Sequence, residues 1–162
     1  MGNNNLEGPI PIFILELQGL KVLSLSSNHF NSSLQPSVIQ QLKNLVYLDL
    51  SHNKLKTFPD FLRNQSSLEY LHLSDNQIYG EIPNWVWKLP NLYDVDLSHN
   101  FLVTLEGPIF DFLRNQSSLE SLDLSDNIYR EICNWVWKLP NLSNVDLSYN
   151  FLVTLEGPNP IS

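Results

Sequence analysis

Leu68-Glu69-Tyr70-Leu71-His72-Leu73-Ser74-Asp75-Asn76-Gln77-Ile78-Tyr79-Gly80-Glu81-Ile82-Pro83 contains the pattern that decides the fold. Leu71 and Leu73 alternate around His72, so both face one side of a short strand. Leu68 precedes them, and an asparagine closes the run at position 76. The spacing Leu-x-x-Leu-x-Leu-x-x-Asn recurs from Leu20, Leu45, Leu92, Leu119 and Leu142. The six starts lie 25, 23, 24, 27 and 23 residues apart, and their asparagines are Asn28, Asn53, Asn76, Asn100, Asn127 and Asn150. A truncated unit with Asn4, Leu6, Gly8, Ile10 and Pro11 precedes them. Residues 1–162 therefore read as a single domain of about seven repeats.

One such unit cannot enclose its own leucines, and stacked neighbours must supply the missing walls. Leu62, Leu89, Leu113 and Leu139 on the return segments are assigned to the same interior. Successive strands then pair in parallel at roughly 5 Å, giving a stack on the order of 30–35 Å long. The aligned asparagines form a ladder where each strand ends, with amides that can bond the backbone of the turn.

The composition agrees. The chain holds 30 Leu, 19 Asn and no Ala, which disfavours a helical bundle. One Cys excludes a disulfide framework and a cysteine-based zinc site. A net charge of −8 argues against nucleic acid as a partner, since phosphate contacts need clustered Lys and Arg. The first residues match neither a secretory signal nor a myristoylation site, and no apolar run is long enough to span a membrane. On this reading the chain carries no anchor of its own.

The extended consensus Leu-x-x-Leu-x-Leu-x-x-Asn-x-Leu-x-Gly-x-Ile-Pro resembles the plant extracellular type of leucine-rich repeat. Leu68, Leu71, Leu73, Asn76, Ile78, Gly80, Ile82 and Pro83 show it nearly whole. The phrases at 84–89 and 100–108 resemble plant receptor-like proteins of the Verticillium-wilt-resistance type. The resemblance implies an α/β leucine-rich-repeat solenoid, a right-handed superhelix with a parallel β-sheet on its concave face. Its convex segments would be short helical, 3-10 or irregular. It also implies a partial ectodomain on the extracellular side of the plasma membrane. That ectodomain would bind a peptide or protein ligand and a co-receptor in defence or developmental signalling, without catalysis or cofactor. A secreted inhibitor of a microbial cell-wall-degrading enzyme, or a receptor fragment without function, are the competing readings. Uncapped end repeats would favour self-association.

Residues 60–110 recur almost word for word as 111–160. In the second copy the residue aligned with Gln77 is missing, Gly80 becomes Arg130 and Pro83 becomes Cys133. Tyr129 is thereby expected in the inward slot of Ile78, where its hydroxyl must find a partner or turn outward. The turn after Asn127 is expected to be the least regular.

The outward strand positions form the candidate ligand-binding face. One column holds Val22, Tyr47, Tyr70, Asp94, Ser121 and Asn144, and the next holds Ser24, Asp49, His72, Asp96, Asp123 and Asp146. Tyr47, Asp49, Tyr70, His72, Asp94, Asp96, Asp123 and Asp146 are the candidate contacts: tyrosines as anchors, carboxylates to steer a basic partner. A solvated face would carry the same Leu-Asp-Leu-Ser wording. His52, Asp75, His99 and Asp126 stand before ladder asparagines. Such residues line up rather than converge, so no metal centre is expected. Val86 and Leu89 are read as inward and the tryptophans beside them (Trp85, Trp87, Trp135, Trp137) as lying over the convex or lateral face. Asn31, Asn64, Asn115 and Asn141 begin possible N-glycosylation sequons. Phosphate-binding loops and the common hydrolase and metalloprotease motifs are absent, so no enzyme activity is expected.

Overall fold

The computed structural model describes residues 1–32, 42–104, 117–132 and 136–155. Its principal element is one parallel six-stranded sheet of three-residue strands: β2 (Val22–Ser24), β4 (Tyr47–Asp49), β5 (Tyr70–His72), β7 (Asp94–Asp96), β9 (Ser121–Asp123) and β11 (Asn144–Asp146). The strands follow chain order across the sheet, which is the topology of a solenoid. Registers are unbroken: Leu23, Leu48, Leu71, Val95, Leu122 and Val145 form the inward row.

Past every ladder asparagine except Asn53 the chain starts a second strand on the flank. There β1 (Glu7–Pro9) pairs with β3 (His29–Ser32), β6 (Tyr79–Glu81) with β8 (Phe101–Thr104), and β10 (Glu131–Ile132) with β12 (Thr154–Leu155). The return segments are short: α1 (Ile12–Leu15) and 3-10 turns at Asp60–Asn64, Val86–Lys88 and Val136–Lys138. One continuous apolar core runs through the stack, with Leu48, Leu71, Leu97 and Leu122 fully buried. Leu62, Leu89 and Leu139 join it, while Leu113 lies outside the described residues.

Each asparagine of the ladder sews two repeats together. Asn76 accepts from the Leu55 amide at 3.0 Å, and donates to the carbonyls of Leu50, Leu73 and Ser74 at 2.9–3.1 Å. Asn28, Asn53, Asn100, Asn127 and Asn150 repeat the arrangement. The truncated first unit copies its geometry. The Asn3 and Asn4 amides bond the carbonyls of Ser26 and Ser27, and Asn4 Nδ2 donates to the Met1 and Gly2 carbonyls. Gly8 and Gly80, each four residues after a ladder asparagine, both have positive φ (84° and 89°), a conformation glycine adopts without a Cβ penalty.

Three sequence expectations need correction. Trp87 is buried in the core at 1% exposure, not spread over the convex face. A 3-10 turn advances three residues per turn, so Val86 and Trp87 share its inward side and Lys88 takes the outward one. Trp85 is half-buried, edge-on to Phe58 at 6.4 Å, while Trp137 is 37% exposed; Trp135 lies outside the described residues. Second, Tyr129 does occupy the inward slot, but its hydroxyl neither turns outward nor meets a partner among the described residues. Burial pushes its pKa far above the usual phenol range. Third, the missing residue is not at the position of Gln77. The Ile128 amide bonds the Leu102 carbonyl as the Gln77 amide bonds that of Leu55, and the Tyr129 amide reaches Asn150 as Ile78 reaches Asn100. The shortening falls afterwards, where Arg130 replaces Tyr79-Gly80 and the flank strand drops from three residues to two. The ladder bonds hold the two residues behind each asparagine. The slack lies at the register shift between Gly80 and Glu81.

Candidate functional site

The sheet brings the candidate residues into two adjoining columns. Val22, Tyr47, Tyr70, Asp94, Ser121 and Asn144 are register partners in sequence, as are Ser24, Asp49, His72, Asp96, Asp123 and Asp146. Their outward direction follows from the pleat, since the residue between the two columns is the inward Leu or Val of the core.

The tyrosines and His72 are in mutual contact. Tyr47 and Tyr70 stand 5.9 Å apart between ring centroids, and His72 meets Tyr47 edge-on at 5.4 Å. His72 bridges the columns, with Nδ1 3.4 Å from the Tyr47 hydroxyl and Nε2 3.3 Å from Asp94 Oδ2. Tyr70 also meets Tyr93, at 5.7 Å. Tyr93 extends the aromatic surface over three successive repeats, and sequence parity missed it. It precedes the strand, where an ideal pleat would turn it inward, yet it lies 39% exposed with its hydroxyl donating to Glu120 at 2.9 Å. That bond and the Glu120 charge raise its pKa above the ordinary phenol range. Tyr47 is raised by burial first, then by the negative charges of Asp49 and Asp94.

The aspartates divide their two oxygens between fold and surface. Oδ1 of Asp49, Asp96, Asp123 and Asp146 accepts the amide of the serine two residues on, at 2.9–3.0 Å. This brace helps turn the chain after the strand, and explains the Leu-Asp-Leu-Ser wording without any ligand. Asp49 Oδ2 also accepts from Ser24 Oγ at 3.1 Å. Burial works against the Asp49 charge, but its serine bonds prevail and hold the carboxyl below the usual carboxylate range. Asp146 is lowered by its bonds from Ser148. Among the described residues, no cation or hydroxyl meets the second oxygen of Asp96 or Asp123.

The residue before every ladder asparagine is left-handed: Ser27, His52, Asp75, His99, Asp126 and Tyr149 have φ of 49–55°. There His52 lies 3.5 Å from Asp75 and His99 lies 2.7 Å from Asp126, both pairs exposed. No group of three or more potential ligands that could hold a metal ion occurs among the described residues. Asn31, Asn64 and Asn141 are exposed, and Asn115 lies outside the described residues. Asn141 belongs to a second ladder that sequence reading did not find. Asn44, Asn91 and Asn141 donate to the carbonyls of Gln18, Ser66 and Ser117 in the preceding repeats. The Asn-Leu that opens three of the six repeats, at 44–45, 91–92 and 141–142, was its signal.

Stacked parallel strands, a ladder asparagine and a common core define a leucine-rich-repeat protein. A leucine-rich-repeat family model matches residues 2–55 and 18–78, and a two-copy leucine-rich-repeat model matches 66–115. The chain belongs to this family. Its repeats are similar to those of plant receptor-like proteins. Receptor-like protein 47 of Arabidopsis thaliana is 38% identical over 131 residues, covering 67% of this chain and 16% of the relative. Receptor like protein 22 of the same plant is 33% identical over 152 residues, covering 78% and 20%. The chain thus spans a fifth or less of the length of these relatives. Among solved structures, the Arabidopsis receptor kinase HAESA, in complex with the peptide hormone IDA and the co-receptor SERK1, superposes with a TM-score of 0.78. It is 33% identical, and the match covers 93% of this chain and 25% of that one. No helix among the described residues is long and apolar enough to cross a membrane.

Proposed function

We propose that residues 1–162 form one array of about seven repeats and serve as a ligand-binding part of a plant cell-surface receptor-like protein. The array lies on the extracellular side of the plasma membrane. It takes a peptide or protein ligand on its concave sheet, together with a co-receptor, in defence or developmental signalling, and it is not a catalyst. The observation that carries this reading is the run of touching rings, Tyr47, Tyr70 and Tyr93, laid across three strands outside the core. Rigid aromatic surface of this kind is what binding hot spots are made of. HAESA, whose ectodomain the chain resembles, holds a peptide hormone and a co-receptor.

The test is selection of twelve-residue peptides from a displayed random library on the immobilised chain. Enriched peptides should lose about tenfold or more in affinity to Tyr70→Ala and Tyr47→Ala, and nothing to Trp137→Ala on the return segment. Peptides indifferent to both tyrosines would place the binding surface elsewhere.

A further inference from the structure

Resting on the concave-face reading, we infer that the ligand is an extended peptide presenting an arginine, whose guanidinium lies between Asp96 and Asp123 while the chain beside it packs on Tyr70 and Tyr93. Charge and geometry both select this occupant. Asp96 and Asp123 are direct register partners, so two half-buried carboxylates stand side by side on neighbouring strands. Asp146 continues the row. Each is held in place by its Ser amide through Oδ1, which leaves the other oxygen for a partner. The lines of residues through the concave sheet, from the one led by Lys21 to the one led by Ser24, contain no other lysine or arginine. Among the described residues the aligned like charges therefore meet no compensating cation, and a bound one relieves them.

Arginine is favoured over lysine for two reasons. Its planar fork can bond both carboxylates at once, whereas an ammonium is a point charge. A guanidinium or its stem also lies flat on a tyrosine ring, and Tyr70 stands in the adjacent column, beside Asp94 and two positions ahead of His72. His72 occupies the place next to Asp96 on the other side and already bridges Tyr47 and Asp94. The open carboxylates are thus on the Asp123 side, which fixes where along the sheet the arginine enters.

The experiment is an NMR titration of the whole chain with acetyl-Gly-Arg-Gly-amide, and with the lysine and citrulline analogues as controls. The arginine peptide should shift the Tyr70 and Tyr93 ring signals saturably. The lysine analogue should bind several-fold more weakly, and citrulline, which keeps the shape and loses the charge, should give no saturable shift. Asp96→Asn and Asp123→Asn keep an Oδ1 acceptor for the serine amide, so the turn survives, and each should weaken arginine binding about tenfold. Equal response to citrulline, no response at the tyrosines, or full binding by both asparagine variants would overturn the arginine subsite. If the library-selected peptides still depend on Tyr70 in that event, the concave-face reading stands and the arginine assignment alone falls.

Discussion

Residues 89–104 and 139–154 carry nearly the same words, Leu-Pro-Asn-Leu-x-x-Val-Asp-Leu-Ser-x-Asn-Phe-Leu-Val-Thr, in two different settings. Their local geometry agrees. Both contain a strand at Val-Asp, an aspartate braced on the following serine, a left-handed residue and a ladder asparagine with the same bonds. Their burial does not. Leu92, Val95, Leu97 and Leu102 are fully buried, whereas Leu142, Val145, Leu147 and Leu152 are half-buried. Trp87 is 1% exposed and its counterpart Trp137 is 37%. The words therefore set the shape of a repeat, and the neighbours on its two sides set how much stability the shape contributes. The copies also differ in the concave letters, Tyr93-Asp94 against Ser143-Asn144 and His99 against Tyr149, so the second copy repeats the scaffold without the aromatic surface.

The most direct way to break this comparison is a paired truncation. Leu97→Ala should cost about 3–4 kcal/mol, because a fully buried leucine leaves a cavity between stacked repeats. Leu147→Ala, half-buried, should cost about 1–2 kcal/mol. Denaturant unfolding of both variants measures the difference, and equal costs would mean that position in the stack does not matter.

The ladder gives a smaller contrast. Asn100→Leu leaves the Ile78 amide without its acceptor in a buried turn and takes one of two donors from each of the Leu73, Leu97 and Ser98 carbonyls, at about 2–3 kcal/mol. Asn150→Leu removes the same number of bonds where water reaches the turn, and about 1 kcal/mol is expected. Amide hydrogen exchange should show fast opening at Ile78 in the first variant, while Tyr129 changes little in the second.

Most of the scaffold was legible before any coordinates because two periods coincide. The two-residue alternation places Leu71 and Leu73 inward, and the 23–27-residue repeat lines up Tyr47 with Tyr70. What stayed hidden depends on side chains that leave the simple pattern. Tyr93 departs from strand parity at the strand entrance. Trp87, expected over the convex or lateral face beside an inward Val86, shares the buried side of a 3-10 turn with it. The aspartate column looked like surface, yet half of each carboxylate holds its own turn. The alignment of letters put the gap at Gln77, while hydrogen bonds, which letters do not encode, moved it to the glycine.

Tyr129 sharpens the comparison at a single atom. Ile78 and Tyr129 fill equivalent slots, but the tyrosine buries a hydroxyl that has no partner among the described residues. Tyr129→Phe removes that oxygen and should stabilise the chain by about 1 kcal/mol at neutral pH. The pH dependence gives a second readout. The folded-state pKa lies above the unfolded one, so above about pH 10 the unfolded chain releases a proton that the folded chain keeps. Stability must then fall as pH rises, by about 1.4 kcal/mol per unit for this group. The gap between Tyr129→Phe and the parent should widen accordingly between about pH 10 and 11, and parallel profiles would show that the hydroxyl is solvated.

The smallest effect lies in the left-handed column. His99 and Tyr149 hold equivalent positions at φ 53° and 55°. Histidine, asparagine and aspartate enter this region more readily than a bulky aromatic. Tyr149 is 83% exposed, so its ring recovers little packing to offset the backbone cost. Asn3 already adopts φ 55° at the corresponding place in the truncated first unit. Tyr149→Asn should therefore stabilise the chain by about 0.5 kcal/mol, visible as a rise of about 1–2 °C in Tm. His99→Asn should gain less, because it also surrenders the contact with Asp126 at 2.7 Å. If Tyr149→Asn instead destabilises the chain, the ring is held by contacts that outweigh its backbone strain, and the second copy has acquired a packing role that the first copy lacks.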